Sequence, residues 1–284
     1  MKTGLVVEGG GMKCAYNAGI LDAFLDHGIT FDYCVGVSAG SGNLVSYLAG
    51  QRGRNLRFFT EHIHDPEYFG LRSLLKTGDL FGIRHIYGDL TRADGKDPLD
   101  FPAFLQNPTE YEAVATNALT GQAEYFGKDA MKQDDYRLIM ASCAIPAVCR
   151  PVELNGVPYF DGGIADAIPV ERALEKGCGR LVVILSKMRD YVRKPQGMRF
   201  FYARRCRRYP KIVSLIDHRH TAYNENFRKV FTLEQEGKAF VFAPSRSVHV
   251  GTYSMKEQAE RDLYALGLED FKKRQDALTA FLKN

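Results

Sequence analysis

The pentapeptide Gly36-Val37-Ser38-Ala39-Gly40 directly follows the apolar run Phe31-Asp32-Tyr33-Cys34-Val35. A Gly-x-Ser-x-Gly turn between a strand and a helix places its serine on a sharp, strained elbow. Gly36 and Gly40 answer to that tightness, because a Cβ at either position would strike the neighbouring strand or helix. The hydroxyl then projects beyond the sheet edge at a helix N-terminus, where backbone N–H groups can stabilise a developing oxyanion. This is the layout of a nucleophilic serine in acyl transfer.

The flanking sequence supplies the strands and helices such an elbow needs. Residues 3–8 read as a strand and Gly9-Gly10-Gly11 as a turn. Residues 15–27 read as a helix with Ala18, Leu21, Phe24 and Leu25 on one face, closed by Gly28. A second strand over 32–37 leads into the elbow and a helix to about Ala49. Residues 51–108 are mixed and read as a substrate-cap or packing region. Strands at 111–117 and 123–126 form a hairpin, 134–141 a helix, and Asn155-Gly156 a tight turn between two short strands. Asp161-Gly162-Gly163 follows, then a helix to Lys176, a buried strand over 180–186, helices within 198–236, a strand at 239–243 and a helix over 255–282. No repeat, low-complexity tract or linker interrupts the 284 residues. The expectation is a single domain over 1–284: a three-layer α/β/α fold with a central, mainly parallel sheet, its motif-bearing core at about 5–170 and residues 180–284 packed on it.

A serine hydroxyl needs a base to take its proton. Asp161, on its Gly-Gly turn, is one candidate, with Asp166 as a fallback carboxylate. The other is His249 backed by a carboxylate, and the order Ser38, Asp161, His249 matches that of α/β-hydrolases. Such enzymes usually place several strands before the elbow, whereas here there is room for one strand and one helix. The triglycine loop can supply oxyanion donors from Gly9, Gly10 or Gly11, with Ala39. The alternative is a nucleotide-phosphate loop, although Gly-x-Gly-x-x-Gly spacing is not met. Lys13 is placed either to orient this loop or to meet a substrate phosphate.

Glu8-Gly9-Gly10-Gly11-Met12-Lys13, Gly36-Val37-Ser38-Ala39-Gly40 and Asp161-Gly162-Gly163 together resemble the three signature blocks of patatin-like phospholipases. Ala141-Ser142-Cys143-Ala144-Ile145-Pro146 is similar to the family's Ala-Ser-rich block. The resemblance runs from about Leu5 to Pro169. Cys14 departs from it, standing where the family usually has glycine after the basic residue. The resemblance implies a Ser38–Asp161 dyad without a catalytic histidine, supported by Gly36, Gly40, Gly162 and Gly163. It implies hydrolysis of fatty-acyl esters in phospholipids, lysophospholipids or related lipids. No cofactor is expected, and no carboxylate cluster has the spacing of a calcium loop. A catalytically weak lipid-binding protein with this fold is the non-enzymatic alternative.

Six scattered cysteines without a Cys-x-x-Cys pair read as reduced thiols in a cytosolic protein rather than as a metal site. No apolar run approaches the roughly 20 residues of a membrane span, and the N-terminus reads as a strand rather than a signal peptide. The net charge of +4 is unevenly spread. Residues 187–220 carry eleven Lys or Arg against two Asp. Within them Arg204, Arg205, Arg207 and Arg208 follow Phe200-Phe201-Tyr202. Such a stretch suits peripheral docking on an anionic membrane, at its inner face. It equally suits a solvated basic helix with core aromatics. No nucleic-acid motif accompanies it.

Overall fold

The computed structural model describes residues 1–251 and 255–283. Strand β1 (Lys2–Val7) alternates Leu5 and Val7 toward one helical layer with Val6 toward the other. Both faces of the sheet are therefore apolar, as a parallel sheet covered by helices on both sides requires. Helix α1 (Ala15–Asp26) returns the chain to β2 (Tyr33–Val37), which pairs in parallel with β1. Helix α2 (Ala39–Leu48) leaves the elbow.

Residues 51–108 fold into short helices: α3 (Arg54–Thr60), α4 (Leu71–Thr77), a π turn at His85–Asp89 and α5 (Phe101–Gln106). Strand β3 (Glu110–Asn117) runs parallel to β2 and forms a hairpin with β4 (Ala123–Phe126). Helix α6 (Arg137–Ser142) starts three residues later than the sequence suggests. Asp134 takes a positive φ of 64° and accepts the Ala93 amide, so the chain turns there before the helix begins. The hairpin β5 (Val152–Leu154) and β6 (Val157–Asp161) closes through Asn155 and Gly156, both at positive φ.

Helix α7 (Val170–Glu175) leads to β7 (Cys178–Ile184), which pairs with β1 on the side away from β2. The strand stops at Ile184 rather than Ser186, because the Ser186 amide leaves the ladder to donate to Glu8. Helices α8 (Arg199–Arg205) and α9 (Pro210–Gln235), strand β8 (Ala239–Phe242) and helix α10 (Glu257–Lys283) complete the described chain. The sheet order is β5-β6-β3-β2-β1-β7-β8, with β4 also on β3. The result is the expected three-layer α/β/α arrangement, with β1 and β2 at its centre.

Helix α10 packs on α1 at a crossing where two glycines meet. A Cβ at Gly19 would run into the Tyr264 carbonyl, and one at Gly267 into that of Tyr16. Near the start of α10, Glu260 is fully buried, and neither carboxylate oxygen has a hydrogen-bond partner among the described residues. Burial alone pushes its carboxyl up to about 8 from the usual 4.5. The folded protein thus keeps a proton that the unfolded chain releases, and stability falls as pH rises from 4.5 to about 8. Replacing Glu260 with Gln should remove this slope, which amounts to roughly 1.4 kcal/mol for each pH unit crossed inside that window. Urea unfolding at pH 5 and pH 8 checks it; equal losses in wild type and E260Q would refute the assignment.

Candidate active site

Ser38 sits between β2 and α2 at φ 53° and ψ −133°, a strained conformation for a residue with a Cβ. The surroundings hold it there. Its amide donates to Ser142 Oγ at 2.9 Å, and its carbonyl accepts the Ser41 hydroxyl at 2.7 Å. A Cβ on Gly36 would lie 2.8 Å from the Ser41 nitrogen, and one on Gly40 2.7 Å from the Glu8 carbonyl oxygen. Both glycines are therefore required by close approach.

The triglycine loop ends β1 beside this elbow because β1 and β2 are parallel neighbours. A Cβ on Gly9 would come within 2.8 Å of Ser38 Cβ. Gly11 has φ 58°, a conformation natural to glycine. Among the described residues, the N–H groups of Gly10, Gly11 and Ala39 meet no protein acceptor. They are available to a developing oxyanion next to Ser38. Cys14 is buried, and its thiol contacts the Glu8 carbonyl at 3.6 Å.

Asp161 ends β6, and its amide donates to the Ala144 carbonyl at 2.9 Å. Its Oδ1 accepts the Gly163 amide at 2.8 Å. A Cβ on Gly162 would strike the Val114 carbonyl, so that turn also needs glycine. Burial raises the Asp161 carboxyl above its ordinary value. The Arg219 charge, the nearby Ser38 hydroxyl and the Gly163 amide pull it partly back. Arg219 also donates to the Gly163 carbonyl at 2.8 Å. Asp166 points elsewhere, accepting Tyr125 and Asn226, and so serves the turn. His249 is not among the residues lining the cavity at Ser38.

That cavity, about 430 Å³, contains both Ser38 and Asp161. One part of its wall is apolar, with Ile145, Val148, Met198, Phe201 and Ile216. Another is cationic, with Lys13, Lys187, Arg193 and Arg219. A second, small aromatic cavity of about 20 Å³ reaches Ser38 from the Phe59, Tyr68 and Tyr87 side. The mixed segment 51–108 thus contributes to the site, as well as to packing. Away from both cavities Glu67, His85 and Asp89 cluster, but Lys76 Nζ already sits 2.6 Å from Glu67.

Several contacts that shape the site are not announced by any motif. Glu8 is buried and binds three partners from the C-terminal part of the chain. They are the Ser186 amide at 2.6 Å, Lys187 Nζ at 2.9 Å and the Tyr223 hydroxyl at 2.7 Å. Ser186 Oγ donates in turn to the Gly9 carbonyl at 2.8 Å. This network fixes the exit of β1 and, with it, the glycine loop. On α8, Phe200 and the cavity-lining Phe201 are exposed while Tyr202 is buried, so its aromatics divide between solvent and core. Arg204, Arg205, Arg207 and Arg208 are all exposed.

A model of the patatin-like phospholipase family matches residues 5–174, and a domain of unknown function (DUF6363) matches 209–283. An uncharacterized Escherichia coli protein, YjjU, is 29% identical over 93% of this chain and 74% of its own length. Lysophospholipase NTE1 of Eremothecium gossypii is 27% identical over 64% of this chain, a match spanning only 12% of that much longer protein. Human group IVD cytosolic phospholipase A2, solved with methyl gamma-linolenyl fluorophosphonate, superposes at a TM-score of 0.55 with 12% identity. That match covers 99% of this chain and 59% of the human one, and the likeness is one of fold. With the family model covering more than half of its residues, the chain belongs to the patatin-like phospholipase family and is, by that membership, a lipid ester hydrolase.

Proposed function

We propose that the chain hydrolyses fatty-acyl esters of glycerolipids, with Ser38 as nucleophile and Asp161 as its base. The observation that carries this reading is the strained Ser38, which shares one cavity with the buried Asp161 carboxylate and is flanked by amides without a protein acceptor among the described residues. Asp161 takes the hydroxyl proton as Ser38 Oγ attacks the ester carbonyl carbon. The carbonyl oxygen becomes an oxyanion and accepts the amides of Gly10, Gly11 and Ala39. Collapse breaks the ester C–O bond, and the departing alcohol receives the proton from Asp161. Water then gives a proton to Asp161 and attacks the acyl-Ser38. Collapse releases the fatty acid and returns the proton to Ser38.

Ser38→Ala should abolish both fluorophosphonate labelling and turnover of a p-nitrophenyl acyl ester. Asp161→Asn should cut turnover by about 100- to 10,000-fold, whereas His249→Ala should keep it. Loss of activity in His249→Ala would favour the triad instead. Because Asp161 works as the anion and its pKa is raised, kcat/KM should fall on acidification with a midpoint above 3.8. A midpoint at or below that value would count against Asp161 as the base.

The Glu8 network makes a separate prediction. Tyr223→Phe keeps the ring but removes one donor from Glu8. It should lower kcat, by roughly tenfold, more than it raises KM, since an oxyanion loop out of place costs transition-state stabilisation. A pure KM effect would mean that Tyr223 touches substrate instead.

The membrane reading of the basic stretch gains from α8. Phe201 lines the Ser38 cavity, the neighbouring Phe200 protrudes into solvent, and four exposed arginines follow them. This arrangement suits docking on an anionic bilayer, where each basic residue near the surface is worth about 1 kcal/mol. Replacing Arg204, Arg205, Arg207 and Arg208 together with Gln should weaken phosphatidylglycerol-vesicle binding by about tenfold or more. Unchanged vesicle binding would return the stretch to a solvated surface.

A further inference from the structure

Segment 51–108 carries a cluster of metal-ligating groups that the reaction at Ser38 does not use. Glu67 precedes α4, and His85 and Asp89 begin and end the π turn. Such turns are rare and recur at functional sites. Here the turn sets His85 and Asp89 side by side. His85 Nδ1 lies 3.5 Å from Glu67 Oε2 and 3.5 Å from Asp89 Oδ2. That nitrogen is buried and has no hydrogen-bond partner among the described residues.

The other ring nitrogen is already committed. Nε2 lies 3.1 Å from Asp65 Oδ2, and a carboxylate only accepts, so Nε2 is the donor. In the neutral ring Nδ1 then turns its lone pair toward two more carboxylate oxygens. Three electron-rich atoms converge there, and a cation among them turns the repulsion into attraction. The spacing suits one. Two ligands about 2.1 Å from a common ion stand roughly 3.0–3.4 Å apart at octahedral to tetrahedral angles. A metal-bound histidine usually has its other nitrogen held by a carboxylate, the place Asp65 occupies. The two oxygens already attract a positive charge. Lys76 Nζ lies 2.6 Å from Glu67 Oε2 and 3.9 Å from Asp89 Oδ2. It leaves Nδ1 unpartnered, and its side chain is 54% exposed, free to swing into solvent.

We propose that Glu67, His85 and Asp89 bind one divalent ion of the zinc class, with Asp65 orienting the imidazole and Lys76 competing for the same oxygens. An imidazole nitrogen with two carboxylate oxygens suits zinc, whereas Ca²⁺ and Mg²⁺ favour oxygen ligands alone. Asp89 is exposed, so solvent can complete the coordination. The ion is structural: it ties the loop before α4 to the π turn. Each of these carries a wall residue of the small cavity at Ser38. Tyr68 follows Glu67, and Tyr87 lies between His85 and Asp89. The clamp therefore steadies that aromatic wall. No step of the hydrolysis proposed above passes through the ion, and the site stands independently of that mechanism.

Calorimetric titration of the full chain with ZnCl₂, after dialysis against a chelator, tests the site. Wild type should bind one Zn²⁺ per chain and unfold at a higher temperature with it. MgCl₂ and CaCl₂ at the same concentrations should do neither. Asp65→Asn should weaken zinc binding by roughly 10- to 100-fold, as loss of a partner behind a ligand does. His85→Ala and Asp89→Asn, which remove ligands, should cost more. Lys76→Gln should tighten binding by up to about fivefold, the worth of the surface ion pair it removes. That gain is the decisive sign, since a misfolded variant does not bind more tightly. If His85→Ala fails to fold by circular dichroism, Asp89→Asn and Lys76→Gln, both at exposed side chains, carry the decision. Absence of zinc binding in wild type overturns the proposal. So does zinc held as tightly by folded H85A or D89N, which would place the ion elsewhere, for instance on the thiols. Calcium raising the unfolding temperature as much as zinc overturns the zinc-class assignment.

Discussion

Two turns lie closer together at the centre of the sheet than side chains would permit. The glycine loop leaves β1 and the Ser38 elbow leaves β2, and parallel pairing sets them side by side. Gly9 approaches Ser38, Gly40 approaches the Glu8 carbonyl, and Gly36 approaches Ser41, each within distances that exclude a Cβ. The proposed oxyanion donors and nucleophile, and the strain at Ser38, all follow from this contact. Asp161 reaches the same point from the other side of β2, because β6 pairs with β3 and ends there.

Around this contact the site is assembled from two kinds of restraint. Local ones act within a turn: the Ser41 hydroxyl on the Ser38 carbonyl, and the Gly163 amide on Asp161. Distant ones act across the fold: Ser142 on the Ser38 amide, Arg219 on the Gly163 carbonyl, and the Ser186, Lys187 and Tyr223 contacts of Glu8. Glu8 and Lys187 form a buried ion pair whose remaining valences are satisfied by hydrogen bonds, the condition under which burying such a pair is tolerable. Glu8, Lys187 and Tyr223 of this cluster also line the cavity.

The division between local and distant restraints also explains what the sequence made legible. The strand–turn–helix rhythm and the glycine motifs could be read directly, since each needs particular residue types at short spacing. The parallel sheet followed from that rhythm. Glu8 could not be read as a hub, because its partners lie 178 to 215 residues away and have no spacing signature. Ser142 was visible only as part of an Ala-Ser run, and its hydrogen bond to Ser38 spans 104 residues. His249 shows the opposite hazard: chain order suits a triad, yet the residue lies outside the cavity lining. The late start of α6 turned on one positive φ at Asp134, which periodicity does not register.

The Glu8 network has a temporal meaning as well as a spatial one. The proposed nucleophile Ser38, the glycine loop and Asp161 all emerge from the ribosome before residue 174, whereas the groups that pin the loop come from the end of β7 and from α9. A nascent chain therefore carries all its reactive groups well before it can hold them in register. On the proposed mechanism, the order of synthesis would act as a safety catch, leaving the site unarmed until the C-terminal layer has docked on β1.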